Sequence, residues 1–253
     1  MKITLRQILV VIAVLAVIVV NSLANIVPFN GQTTGEVSDN LSNYFVPAGY
    51  VFSIWGLIYL GLVVYAIFQG RSTEINNSRL KAVSGWFLLS SVANIVWLLF
   101  WHYNQFILTV PVMLVLLASI IKIYLILRRG NPQISRGEFW AVRVPFSIYL
   151  GWITVATVAN LTDVLYYLNW NGFGISAVAW MSIILLAVLV IVALVNFTRR
   201  DIGYTLVILW ALIGIGLKHA AVSAVAIPTW ITFGLVALSL VAAFFTKKGR
   251  AKA

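Results

Sequence analysis

Ten tryptophans stand in this chain, and their depth within long apolar runs separates two kinds of chemistry. Trp86, Trp101, Trp140, Trp170, Trp180 and Trp230 fall at or near the ends of those runs, where indole rings commonly anchor at lipid headgroups. Trp55, Trp97, Trp152 and Trp210 lie deeper. Helical spacing gathers particular neighbours around three of these. Phe52, Trp55 and Tyr59 share one helix face, as do Ser90, Asn94, Trp97 and Trp101, and as do Trp152, Ala156, Ala159, Asn160 and Asp163. Three faces thus mix aromatic rings with small or polar side chains. A buried amide or carboxylate is costly in hydrocarbon unless paired, so these faces turn to protein or to a cavity. Two readings follow. Asn94 and Asn160 bridge helices while the rings fill a bundle core, or the rings wall a pocket for a flat apolar ligand that a few polar groups orient. Asp163 sits near one end of its run and reads either as a functional intramembrane carboxylate or as a hydrated rim residue.

Other chemistries find little support. There is no cysteine, so no thiol nucleophile, thiolate-bound haem or iron–sulfur cluster is available. His102 and His219 stand at the ends of apolar runs with no carboxylate or second histidine at ligand spacing, and they read as surface histidines rather than metal ligands. No paired carboxylates, no serine–histidine–aspartate set and no phosphate-binding glycine loop occur, which leaves no basis for hydrolysis or phosphoryl transfer. No required cofactor and no catalytic residue are expected.

The elements that must position these faces are transmembrane helices. Of 253 residues, 62% are hydrophobic and 9% charged, far from the balance of a soluble globule. Mean hydropathy is +1.02. Runs of about 20 apolar residues suffice to cross a bilayer, and they occur at 7–27, 48–69, 82–101, 106–127, 143–168, 176–198, 202–217 and 227–246. The expected fold is therefore an all-α polytopic bundle of about eight spans, with the seventh short. The net charge of +11 reflects topology rather than nucleic-acid binding. With the N-terminus inside, all of the 17 lysines and arginines except Lys218 fall on one side, including Lys2, Lys247, Lys248, Arg250 and Lys252. That asymmetry places both termini in the cytoplasm, and a bacterial cytoplasmic membrane is the expected location. Ser22-Leu23-Ala24 offers a small-residue cleavage site, but the run before it exceeds the about 7–15 apolar residues of a signal peptide, so the first span is expected to stay. The segment 28–47, devoid of lysine and arginine, is long enough to fold over an outer cavity or to serve as a solvated connector.

Three motifs carry a family resemblance. PAGYVFSIWGLIY at 47–59 resembles the PPGWVFGPVWTxLY pattern that opens the second helix of the translocator proteins, the TspO/MBR or tryptophan-rich sensory family. Asn94-Ile95-Val96-Trp97 with Phe100 is similar to that family's LNxxW…FF. Tyr149-Leu150-Gly151-Trp152 with Ala156, Thr157 and Asn160 is similar to its PYLxWxxFAxxLN. The resemblance covers about residues 1–170 and leaves 171–253 as three additional helices. Departures are specific. Tyr50 replaces a tryptophan, the interval to Trp55 is one residue shorter, Ile148 stands at the usual proline with Pro145 displaced, and 28–47 lacks a WYxxLxKP lid signature. The cholesterol-recognition pattern proposed for some members is absent after Tyr166 and Tyr167.

The resemblance implies a five-helix bundle with a pocket for tetrapyrroles such as protoporphyrin and, in some members, sterols. Trp55 and Trp152 match its pocket tryptophans, and Asn94, Trp97, Ala156 and Asn160 match wall or packing positions. The expected function is a membrane ligand-binding protein of sensor or regulator type for porphyrin-like or other flat apolar ligands, its site including Phe52, Tyr59 and Asp163. The alternatives are transport of an amphipathic solute, porphyrin degradation through pocket tryptophans, and a scaffold in which the last three spans form a dimer or partner surface. The bilayer, a small apolar ligand and a homodimer are the expected partners.

Overall fold

The computed structural model describes residues 3–41, 43–130 and 133–246. The basic residues Lys2, Lys247, Lys248, Arg250 and Lys252 lie outside them. The described residues form helices joined by short connections, and seven helical stretches are long and apolar enough to cross a membrane. An eighth apolar helix covers the expected short seventh span with 17 residues, about 26 Å at 1.5 Å per residue, a few ångströms below the usual hydrocarbon thickness. This is a polytopic all-α membrane protein. Its chain divides into two compact units, Met1–Asn43 with Phe52–Trp170, and Tyr44–Val51 with Asn171–Ala253.

In the first unit, α1 (Leu5–Ile26), α3 (Ile54–Gln69), α4 (Ser78–His102), α5 (Phe106–Arg128) and α7 (Val144–Tyr167) close into a ring. The order around it is α1–α4–α5–α7–α3, and α3 returns to α1. The local sequence explains several of these elements. Thr4 and Gln7 make a reciprocal capping box at the start of α1. Its buried residues Gln7, Val10, Val14, Val17, Asn21 and Ala24 recur every three or four positions and form one stripe facing its neighbours. The Asn77 side chain accepts from the backbone N–H groups of Arg79 and Leu80 and so starts α4. Before α7, the single helical turn α6 (Arg136–Glu138) runs into a π-turn, Phe139–Arg143, where Val144 N–H reaches back to the Phe139 carbonyl. A π-turn takes up one extra residue, here directly ahead of Pro145, which has no N–H to donate. Gly61 of α3 lies against that proline: a Cβ there would stand 2.9 Å from Pro145 Cβ. The missing side chain lets the two helices approach closely.

One end of the ring carries Arg6, Arg71, Arg79, Arg128 and Arg143. At the other end, segment 28–43 folds across it, with α2 (Thr34–Asp39) at its centre, started by a Thr33–Glu36 capping box. The segment is no loose connector. Thr34, Val37, Ser38 and Leu41 are buried.

In the second unit, α10 (Ser223–Phe245) packs on both α8 (Ala177–Arg199) and α9 (Ile202–Lys218). Asn196 of α8, fully buried, donates to Ser239 Oγ of α10 at 2.8 Å and accepts from Thr205 Oγ1 of α9 at 2.5 Å. One amide thereby ties three helices. Tyr44–Val51 lies on α9: Ala48 N–H donates to the Gly214 carbonyl at 3.3 Å, and Trp210 Nε1 donates to the Val51 carbonyl at 3.1 Å.

Candidate functional site: an aromatic cavity inside the helix ring

Rings fill the first unit unevenly along its length. Toward the arginine-bearing end, Tyr65, Phe87 and Phe146 meet edge to face with centroids 5.0–5.9 Å apart and all three buried. This triad closes the ring there. Farther along, Phe52, in the 3-10 turn just before α3, and Trp55 of α3 meet Trp152 of α7 edge-on, at 5.8 and 6.1 Å. Trp55 also stacks on Tyr59 at 5.5 Å and meets Tyr149 edge-on. Across the ring Trp97 stacks on Trp101 at 5.4 Å. Between these groups lies a cavity of about 30 Å³, room for one or two water molecules.

Six of the residues singled out in the sequence stand on its wall: Phe52, Trp55, Asn94, Trp97, Trp152 and Ala156. Met113 and Leu116 of α5 and Ile153 of α7 complete it. Those three carry no signal, since apolar residues facing a cavity read in sequence like those facing lipid. Tyr59 stands behind Trp55 rather than on the wall. Asn160 and Asp163 lie elsewhere in the ring, buried and held by neighbours.

The polar partners sort the two asparagines into different roles. Asn160 accepts from Trp97 Nε1 at 3.4 Å and donates to Thr109 Oγ1 at 2.7 Å, so it bridges α4, α5 and α7. Asn94 pairs with Asn21 of α1. Asn21 Nδ2 donates both to the Val17 carbonyl and to Asn94 Oδ1, at 2.9 and 2.8 Å. Asn21 therefore presents its amide nitrogen, Asn94 must answer with oxygen, and Asn94 Nδ2 turns away from α1. That nitrogen is buried without a hydrogen-bond partner, and so is Trp152 Nε1. The Tyr149 hydroxyl is a polar neighbour of Asn94. The rule that flagged Asn94, a polar side chain within an apolar span, flags Asn21 equally well. Thr109 is the weaker signal, because a threonine in a helix often bonds its own backbone, as this one also does to Phe106.

The end covered by segment 28–43 corrects three expectations. Trp101 is no interface anchor: it is 3% exposed, and its Nε1 donates to the Thr34 carbonyl at 3.2 Å. His102 is not a surface histidine. Fully buried, it places Nε2 3.0 Å from Thr34 Oγ1 and Nδ1 3.2 Å from the Phe29 carbonyl, while Asn30 donates to its own carbonyl. Asp163 is not a hydrated rim residue either. It is 2% exposed and accepts from Asn43 Nδ2 at 2.5 Å. These bonds pin the segment to the ends of α4 and α7. Trp210, the fourth deep tryptophan, belongs to the second unit, where it meets Tyr50 edge-on at 5.4 Å. Among the described residues no group of three or more histidines, aspartates or glutamates could hold a metal.

Fold and site together define an integral membrane protein whose helix ring encloses a small aromatic cavity with two unsatisfied donors. Residues 7–244 match the family model described as TSPO-like protein, and the chain belongs to that family. The match runs on through α8, α9 and most of α10, so the helices beyond residue 170 lie within it. No curated protein and no solved structure matches the chain.

Proposed function

We propose that this protein is a membrane ligand-binding protein of sensor or regulator type that takes a flat apolar ligand, porphyrin-like in shape, into the ring cavity. The observation that carries the reading is the pair of buried donors, Trp152 Nε1 and Asn94 Nδ2, on residues of the cavity wall and without a hydrogen-bond partner. A buried unsatisfied donor costs about 1–3 kcal/mol, and two at one cavity suit a ligand that brings an acceptor atom at the edge of an apolar plate. Stacking on indole would contribute about 0.5–1.5 kcal/mol per ring pair beyond area burial.

At about 30 Å³ the cavity is collapsed relative to the roughly 300–1,000 Å³ of small-molecule sites. Ligand admission therefore requires rings to move, and Phe52 and Trp55 are the mobile wall in this reading. Both are only half-buried, whereas Trp152 is 2% exposed. The arginine-bearing end faces the cytoplasm of a bacterial inner membrane in this proposal, which leaves segment 28–43 over the outer end of the ring.

Titration of the detergent-purified protein with protoporphyrin IX, followed by tryptophan fluorescence, tests the proposal. Saturable quenching is expected, with affinity reduced about tenfold in Trp152→Phe, the loss of one hydrogen bond and part of one ring contact. That substitution removes a donor without a protein partner, so the unliganded fold loses no hydrogen bond. Ala156→Leu, which plugs the wall, should abolish binding. Linear quenching that is the same in all three proteins would overturn the assignment.

A further inference from the structure

The polar groups on the cavity wall differ in what they can offer a ligand. An indole N–H only donates, and Trp55, Trp97 and Trp152 bring three of them to the wall. Trp97 Nε1 is spent on Asn160 Oδ1, 3.4 Å away, whereas Trp152 Nε1 is buried without a hydrogen-bond partner. The Met113 thioether is a weak acceptor. Among the described residues on this wall, Asn94 alone carries a strong side-chain acceptor, and its amide carries donors as well. Which end of that amide remains available therefore decides the hydrogen-bonding sense of the site.

The choice is made off the wall, on α1. Asn21 is 5% exposed, and its Nδ2 lies 2.9 Å from the Val17 carbonyl oxygen one turn back. A carbonyl only accepts, so the atom facing it is the nitrogen. The same Nδ2 reaches Asn94 Oδ1 at 2.8 Å. Reversing the Asn21 amide would set oxygen against oxygen at Val17, and reversing the Asn94 amide would set nitrogen against nitrogen at Asn21. Both arrangements leave buried groups unpaired, which is costly. Asn94 Oδ1 is thus occupied, and Asn94 Nδ2 is buried without a hydrogen-bond partner. The Tyr149 hydroxyl beside Asn94 does not reverse the sense. A hydroxyl that accepted from Nδ2 would still have its own proton to give.

We propose that Asn21 is a specificity-determining residue of the ring cavity. By holding the Asn94 oxygen it makes the wall a donor surface, which selects flat ligands that carry a hydrogen-bond acceptor over those that carry an N–H. Asn21 is not among the wall residues, so it is a positioning residue that acts through Asn94. The role rests on the cavity being a ligand site.

Three tricyclic probes of similar shape separate polarity from shape. Acridine has a ring nitrogen that accepts, carbazole an N–H that donates, and anthracene neither. Equilibrium dialysis of the detergent-purified full chain at mildly alkaline pH, where acridine is neutral, tests the role, with empty micelles correcting for partition. The parent should bind acridine about tenfold more tightly than carbazole, with anthracene between them. Asn21→Leu removes the donor and frees the Asn94 amide to turn. Carbazole affinity should then rise and the ratio fall to about threefold, the remainder belonging to Trp152. Adding Trp152→Phe should abolish the preference. Asn21→Ala removes the same donor without bulk and should reproduce the shift if leucine fits poorly. A residue that only supported the fold would lower all three affinities together, and no gain for carbazole would appear. Equal affinities for acridine and carbazole in the parent would overturn the role without any variant, and would leave the cavity a ligand site. Variants at Asn21 that keep the parent ratio would also overturn it and give the preference to Trp152. No saturable binding of any probe would overturn the ligand site and this role with it.

Discussion

The two units of this chain solve the same problem, packing apolar helices together, in opposite ways. In the second unit, small residues bring helices and chain segments into direct contact, and a buried amide ties three helices together. A Cβ on Gly216 would stand 2.8 Å from the Trp230 ring, and Asn196 finds partners for both ends of its amide. In the first unit, large rings meet edge to face, a cavity remains among them, and two of its lining residues carry a donor without a hydrogen-bond partner. The difference separates a packed scaffold from a set of side chains held apart. It also says which substitutions each unit should tolerate.

The sharpest way to break the comparison is to add volume where the second unit has none. A Cβ on Gly214 would lie 2.1 Å from Val51 Cγ2 and 3.2 Å from Pro47 Cβ, and Val51 is fully buried. Gly214→Ala should cost about 1–3 kcal/mol through overpacking, and Gly214→Leu should prevent Tyr44–Val51 from seating on α9 at all. Limited proteolysis within 44–51 and thermal unfolding in detergent would read both. In the first unit, Ala156→Leu adds volume toward a cavity and should leave the melting temperature unchanged or raise it. A Gly214→Ala protein as stable as its parent would show that the second unit is no tighter than the first.

Much of this contrast was legible in the sequence, and the remainder was not, for physical reasons. Run length alone places the helices: the eight apolar runs and the observed helices differ by a few residues at their ends, because hydrocarbon thickness sets a minimum that soluble helices do not obey. Helical spacing brought Phe52, Trp55, Asn94, Trp97, Trp152 and Ala156 to one wall, since period fixes which residues share a face. Period says nothing about which partner a face meets. Asn94 and Asn160 look alike in sequence, yet Asn160 is consumed by Trp97 and Thr109 while Asn94 is tied to Asn21 through its oxygen and its Nδ2 has no hydrogen-bond partner. The buried states of Trp101, His102 and Asp163 were equally hidden. They depend on where segment 28–43 folds, and that segment lacks the lid motif expected of the family. The asymmetry between the units left only a faint trace, in that the deep tryptophans cluster before residue 170 with Trp210 alone beyond it.

Asn160 allows a finer cut within the first unit. Replacing it with leucine strands Trp97 Nε1 and removes the partner to which Thr109 is tied. The expected loss is about 1–3 kcal/mol, which would lower the melting temperature by several degrees for a chain of this size. Trp152→Phe, by contrast, removes a donor that has no partner and should be close to neutral in the same measurement. If the two variants were equally destabilised, Trp152 would be a packing residue like its neighbours. The distinction between bridging and ligand-facing polar groups would then collapse.

The smallest expected effect tests whether the second unit is closed everywhere. His219 follows α9, outside the helix, with Tyr44 edge-on at 5.5 Å and Nε2 buried without a hydrogen-bond partner. Burial pushes its pKa below the usual imidazole range, the adjacent Lys218 adds to that, and the Val46 backbone opposes it. The sign follows. A histidine held below its unfolded value near 6.5 contributes stability that is present in full above that value and is lost as the pH falls through it, because the unfolded chain takes up the proton first. Between pH 8 and pH 5 the parent protein should therefore lose more stability than His219→Gln, and cleavage within 44–51 should rise in step. Parallel pH profiles for the two proteins would remove His219 as the acid-sensitive contact. Flattening by His102→Gln instead would place that sensitivity in the first unit, under segment 28–43, where His102 meets Thr34 and Phe29. The unit with the cavity would then also be the one that protons loosen.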